Sequence, residues 1–114
     1  MIRSPEVIEE YRAFKEAKLK ENPDWCPFCD ESSHTKLVET QNFFVTENKF
    51  HYLGLKEHFL ICTKIHKPDI TPEEEEELKT IVKIFEVTNF YCARNFTFQS
   101  SIPKHYHAQA MRWI

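Results

Sequence analysis

Residues 104–110 read Lys-His-Tyr-His-Ala-Gln-Ala. On a β-strand successive side chains alternate between faces, so His105, His107 and Gln109 would line one side, with Tyr106, Ala108 and Ala110 on the other. Three side chains able to ligate metal, attack an electrophile or donate hydrogen bonds are costly to gather on one buried face without a task. The plainer alternative is an exposed sheet face carrying hydrogen-bonded histidines.

Upstream of this stretch, Thr71-Pro72-Glu73-Glu74 is a capping box with Pro at the first helical position, which starts a helix. Leu78, Ile81/Val82, Phe85, Thr88/Asn89 and Cys92 form its core-facing stripe and carry it to about residue 93. The glutamates from Glu73 to Glu77 sit over the positive end of the helix dipole, and they read as a solvated helix start. Two strand candidates follow, Phe96 to Gln99 and His105 to Met111, broken by Ser100, Ser101 and Pro103.

Earlier in the chain, His58 to Thr63 reads as a buried strand around Phe59-Leu60-Ile61-Cys62. Thr35 to Thr40 and Asn42 to Thr46 look like paired strands, and residues 47 to 57 form a polar connection holding the only glycine, Gly54. Residues 4 to 21 read as a helix with Ser4 as N-cap, Pro5 next, and Val7/Ile8, Tyr11, Phe14 and Leu19 near helical spacing. Asn22-Pro23-Asp24 ends it. The sum is one α+β domain: an antiparallel sheet crossed by a long helix (residues 24–114), preceded by a helical segment (residues 1–23).

The composition fits that reading. The chain has 114 residues, enough for one domain, and is 41% hydrophobic and 29% charged. Fifteen Lys and Arg against eighteen Asp and Glu give a net charge of −3, which argues against a broad electrostatic grip on nucleic acid or anionic membrane. No apolar run is long enough to span a bilayer. The opening MIRSPEVIEEYR has no apolar signal core, so a cytoplasmic location is expected. A single glycine excludes phosphate loops of the P-loop or dinucleotide-binding kind.

Of four cysteines, Cys26 and Cys29 form a C-x-x-C, while Cys62 and Cys92 stand alone and read as buried small hydrophobes. A reducing compartment disfavours disulfides and turns the C-x-x-C towards metal, with a redox pair or a plain turn as the alternatives. Zinc takes Cys and His in closed four-coordinate sites. His66, in the turn after the buried strand, and His105 would complete such a site. His34, five residues after Cys29, is the local competitor.

Taken together, the chain resembles the histidine-triad superfamily, more its galactose-1-phosphate uridylyltransferase and diadenosine tetraphosphate phosphorylase branch than its hydrolases. Three stretches carry the likeness: Cys26-Pro27-Phe28-Cys29, the run from Asn42 to His66, and His105-Tyr106-His107-Ala108-Gln109, which matches H-x-H-x-Q. The capping-box helix lies between the second and third, where that family places its long helix. The likeness covers about residues 24 to 112.

This resemblance implies structural zinc on Cys26, Cys29, His66 and His105, and prefers His66 over His34. It implies that His107 is the nucleophile, attacking the α-phosphorus of a nucleotide or dinucleotide polyphosphate to give a nucleotidyl-histidine. Gln109 would donate to phosphoryl oxygens, and Asn48 would touch the ribose. A homodimer is a further expectation. Transfer is favoured over hydrolysis, because Gln109 replaces the third histidine of the hydrolases.

The chemistry is coherent on general grounds. A neutral imidazole is nucleophilic near neutral pH and can carry and release a phosphoryl group. Gln109, Ser100, Ser101 and Lys104 are candidate donors to the charged transition state. Zinc with four protein ligands has no open position and would be structural. There are departures: the approach to His105 lacks glycine, and His51 stands where a proline is common. The rival from another class is a non-catalytic zinc module that binds nucleotide or protein.

Overall fold

The computed structural model describes residues 3–94, 102 and 104–113. The element order is α1 (Pro5–Glu21), β1 (Val38–Glu39), β2 (Phe43–Glu47), β3 (Leu55–Thr63), α2 (Pro72–Val87), β4 (Tyr91–Arg94) and β5 (His107–Trp113). The strands form one antiparallel sheet in the order β1-β2-β3-β5-β4, so the fold is α+β as expected. Among the described residues no helix is long and apolar enough to cross a membrane.

Register explains how the two faces differ. Phe44, Cys62 and His107 lie in one cross-strand row, and Thr46, Leu60 and Gln109 in the next. The alternate residues form the opposite face, where Phe43, Val45, Ile61 and Ala108 pack against Leu78 and Ile81 of α2. The period of two therefore sends a wholly apolar set to α2 and places Thr46, His107 and Gln109, interleaved with Phe44, Leu60 and Cys62, on the other face. There a smaller cluster of Cys26, Phe28, Phe44 and Cys62 closes over part of the sheet.

The helix caps follow the sequence closely. Ser4 accepts from the Val7 amide at 3.3 Å, with Pro5 as the first helical residue. At α2 the Thr71 hydroxyl accepts from Glu74 N (3.2 Å), and the Glu74 carboxylate accepts from Thr71 N (2.8 Å). Lys67 donates to both Glu74 oxygens, and Glu77 accepts from the Thr40 hydroxyl and from the amide and side chain of Asn42. Two of the five glutamates thus clamp neighbouring loops, whereas the sequence suggested a purely solvated run. Gly54 adopts φ 87° in the turn before β3, a conformation that favours glycine.

α2 stops at Val87, six residues short of the expected end. Asn89 takes φ 69°, its amide bonds Glu86 O (3.1 Å), and the Phe90 amide reaches Phe85 O (3.1 Å). These two bonds define a Schellman end, and the Phe85 and Phe90 rings meet at 5.1 Å as the accompanying apolar contact. Cys92 consequently leaves the helix for β4, where it is half-buried rather than buried. At other boundaries β1 shrinks to two residues, β2 runs on to Glu47, and β3 begins at Leu55, trimming the polar connection. β5 begins at His107, so His105 precedes the strand. The strand expected at Phe96 to Gln99 lies outside the described residues.

Candidate metal centre and histidine cavity

The C-x-x-C makes a tight knuckle: the amides of Cys29 and Asp30 both bond Cys26 O, at 3.1 and 3.0 Å. Asp30 secures its exit, accepting from Trp25 Nε1 (2.9 Å) and from the Ser32 and Ser33 hydroxyls (2.6 and 2.7 Å). These bonds, led by the Ser32 hydroxyl, hold the Asp30 carboxyl well below the ordinary range. Both thiols can thereby turn towards the end of the sheet.

Two histidines meet them. His105 Nδ1 lies 3.4 Å from Cys26 Sγ and 3.5 Å from Cys29 Sγ, and His66 Nδ1 lies 3.3 Å from Cys29 Sγ. All four donor atoms fall within 4.8 Å of one another. In a tetrahedral thiolate–imidazole site, bonds of roughly 2.3 and 2.0 Å place sulfur and nitrogen about 3.5 Å apart, which these spacings match. Cys26, Cys29, His66 and His105 are therefore positioned to hold a metal ion. Cys26 and His105 are buried, whereas Cys29 and His66 are exposed.

The chemistry of the donors agrees. The Thr63 carbonyl can only accept, so its 2.7 Å contact assigns a proton to His105 Nε2 and leaves Nδ1 bare in the neutral ring. Burial also pushes His105 below the ordinary imidazole value, which favours that neutral form. Cys29 is pushed up to about 11 by desolvation and by Cys26 beside it. A bound cation would reverse that preference at Cys29. His34 is placed otherwise: its Nδ1 contacts Pro27 O at 2.8 Å, and its ring stacks on Phe44.

His107 faces a different way. Its Nδ1–H donates to the His105 carbonyl at 3.1 Å, which leaves Nε2 bare in the neutral ring. Burial lowers its affinity for a proton. It lines a cavity together with Gln109, Asn48 and Phe28. The Phe28 ring lies 5.3 Å from His105 and 5.0 Å from His107, so the knuckle that carries the two thiols also forms a wall of this cavity.

Of the remaining sequence candidates, Asn48 joins His107 and Gln109 at the cavity, with its side-chain oxygen accepting from Phe50 N at 2.9 Å. Lys104 lines a separate hollow beside Cys29 and His66. Ser100 and Ser101 lie outside the described residues.

The structure adds His58, which the sequence reading left inside an apolar strand. It is fully buried and donates from Nε2 to Gln109 Oε1 at 2.6 Å, and Gln109 Nε2 donates to the Tyr52 hydroxyl at 3.2 Å. The two contacts hold the Gln109 amide between His58 and Tyr52. Burial pushes His58 down to about 4. The signal was available: His58, Leu60 and Cys62 share a face by period two, and Leu60 pairs with Gln109.

Compared with known proteins, the sequence matches no family model and no curated protein. A solved structure described as the crystal structure of HTC1 superposes with a TM-score of 0.53 at 14% identity, covering 99% of this chain and 76% of that one. At that identity the likeness concerns the fold alone.

Proposed function

We propose that this chain is a histidine-triad-like nucleotidyl-transfer domain acting through His107. The observation that carries the reading is the anchoring of His107 Nδ1–H on the His105 carbonyl, with the ring lining a cavity it shares with Gln109 and Asn48. That bond leaves the other nitrogen to act as nucleophile.

Nε2 of His107 attacks the α-phosphorus of a nucleotide or dinucleotide polyphosphate. The bond to the bridging oxygen breaks, and the polyphosphate leaves with that electron pair. Attack by an acceptor oxygen, from phosphate in preference to water, then breaks the P–N bond and returns the neutral imidazole. Each step is a displacement at one phosphorus, so two of them retain configuration. Gln109, oriented by His58, supplies an N–H donor for the developing charge. Asn48 is the ribose contact.

Zinc is the ion we assign to Cys26, Cys29, His66 and His105, where it supplies cross-linking rather than reaction chemistry. The four residues tie the knuckle to the end of β3 and the approach to β5. They thus hold Phe28 against His107 and keep the His105 carbonyl at its Nδ1–H. Thiolates with such a role fit a reducing, cytoplasmic setting.

The test is incubation with radiolabelled diadenosine tetraphosphate, an acid-free quench, and a search for label on the protein that is released by acid. Label on wild type and none on His107→Ala supports the reading. No label on either, with zinc present, replaces it with a non-catalytic zinc module.

A further inference from the structure

α1 contributes no buried residue to the core. Its side chains nevertheless reach the histidine cavity, where Tyr11 and Phe14, together with Arg3 just ahead of the helix, form part of the lining. Both rings pack on other aromatic residues of that lining. The Tyr11 ring lies 4.9 Å from Phe50, and Phe14 lies 5.5 Å from both Phe50 and Trp25. The outward side is polar, with Arg12 paired to Glu9 and Glu16.

Arg3 fastens the open end. Its Nε donates to Phe50 O at 2.8 Å, and its guanidinium carbon lies 4.8 Å over the Tyr11 ring and 4.9 Å over the Tyr52 ring. Tyr52 is also the side chain whose hydroxyl accepts from Gln109. The fastening and the reacting face therefore share one residue. At its other end α1 runs into Asn22-Pro23-Asp24, where the helix stops with Asn22 in an extended conformation. Beyond that point the chain is fixed again by the knuckle, with Trp25 N on Asn22 O at 3.0 Å and Trp25 Nε1 on Asp30.

Besides these rim contacts α1 makes an ion pair from Lys18 to Asp30 at 3.8 Å, and a helix held in this way, with no buried residue of its own, can open without exposing the core. We propose that α1 is a movable wall of the ligand cavity, which lifts about Asn22-Pro23-Asp24 to admit a ligand and closes over it with Arg3 as the clasp. The ligand class, a phosphate ester bearing a planar base, rests on the proposed function. The rings of Tyr11 and Phe50 offer such a base an apolar surface, and stacking of this kind tolerates any base. The movement itself rests only on the contacts of α1.

Hydrogen exchange of the full chain, read by mass spectrometry, separates the two. In the absence of ligand, Arg3→Ala is expected to speed exchange across residues 5–21 at least ~10-fold while β3 and β5 stay unchanged. Arg3→Lys, which keeps a cation over the two rings, should fall between. Saturating AMP should slow exchange across α1 in wild type and leave α2 unchanged. Equal α1 exchange in wild type and Arg3→Ala overturns the clasp, and bound AMP that leaves α1 unaltered overturns the wall. Calorimetry that detects no AMP binding overturns the nucleotide reading instead, and the ligand-free comparison still decides the movement of α1.

Discussion

His105 gives its Nε2 proton to the carbonyl of Thr63 at 2.7 Å, and this one bond turns its Nδ1 towards the thiols of Cys26 and Cys29. A metal-ligating histidine needs such an outer partner to fix its tautomer and ring angle. Here the partner is the last residue of β3, so the sheet itself aims the ligand. The same histidine's carbonyl holds His107, which links the candidate metal site to the cavity through a single residue.

The first expectation is one zinc per chain in protein purified from zinc-supplied medium, measured by elemental analysis. Because the donors come from three parts of the chain, metal binding and folding are coupled. Chelation should lower the melting temperature by more than about 10 °C. His66→Ala should lose the metal, whereas His34→Ala, whose ring is committed to Pro27 O and Phe44, should keep it. Retention by the first variant and loss by the second would reassign the ligand.

His107→Ala should keep both zinc and fold, since His105 and the other donors are untouched, yet lose nucleotidyl transfer by at least ~10⁴-fold. His107→Gly should be partly rescued by a nucleoside phosphoimidazolide, which brings its own ring. Gln109→Ala should be milder, about 10²-fold, the usual effect of removing one preorganised donor. Equal rates for wild type and His107→Ala across a panel of nucleotides would remove His107 from the reaction.

Much of the site was legible because it obeys short-range rules. The C-x-x-C, the capping box at Thr71 and the alternation of His107 with Gln109 each depend on residues a few positions apart. What the sequence reading missed depends on tertiary placement or on a weaker signal. The stripe on α2 continues in phase through Asn89 and Cys92, and periodicity cannot see that Asn89 turns to positive φ. Glu77 sits in an acidic run, but its partners at Thr40 and Asn42 come from the β1–β2 turn. His105 belongs to the H-x-H spacing yet lies ahead of β5, so its ring is aimed by Thr63 and not by the pleat. α1 was readable as a helix, but nothing local to it says that its apolar side chains face a cavity and not the core.

The end of α2 offers a direct stability test. Asn tolerates the left-handed conformation better than residues with larger or branched side chains. Asn89→Val should destabilise by roughly 1–2 kcal/mol, read as a lower denaturant midpoint at unchanged slope. Asn89→Gly should be close to neutral, because relief at positive φ is offset by a more flexible unfolded chain. Equal midpoints for Asn89→Val and wild type would mean that the helix can run on past Thr88.

His58 sets the last expectation, for stability against pH. Buried beside Gln109, it is pushed from the ordinary 6.5 down to about 4, first by burial and further by His51 and Arg3, with the Gln109 bond opposing. Between those two values the unfolded chain binds a proton that the folded chain refuses. Stability must therefore fall as pH drops from about 7 towards 4, and the loss levels off below the folded value. The gap between the two values corresponds to roughly 3 kcal/mol. Acid would also release a metal held by Cys26, Cys29, His66 and His105, so the informative quantity is the difference between wild type and His58→Gln. That variant removes the titrating ring and leaves the candidate metal ligands unchanged. Urea unfolding at several pH values should show wild type losing more stability than His58→Gln between pH 7 and 4, with the two curves parallel above pH 7. Curves that stay parallel throughout would mean that His58 takes up its proton in the folded state as readily as in the unfolded one.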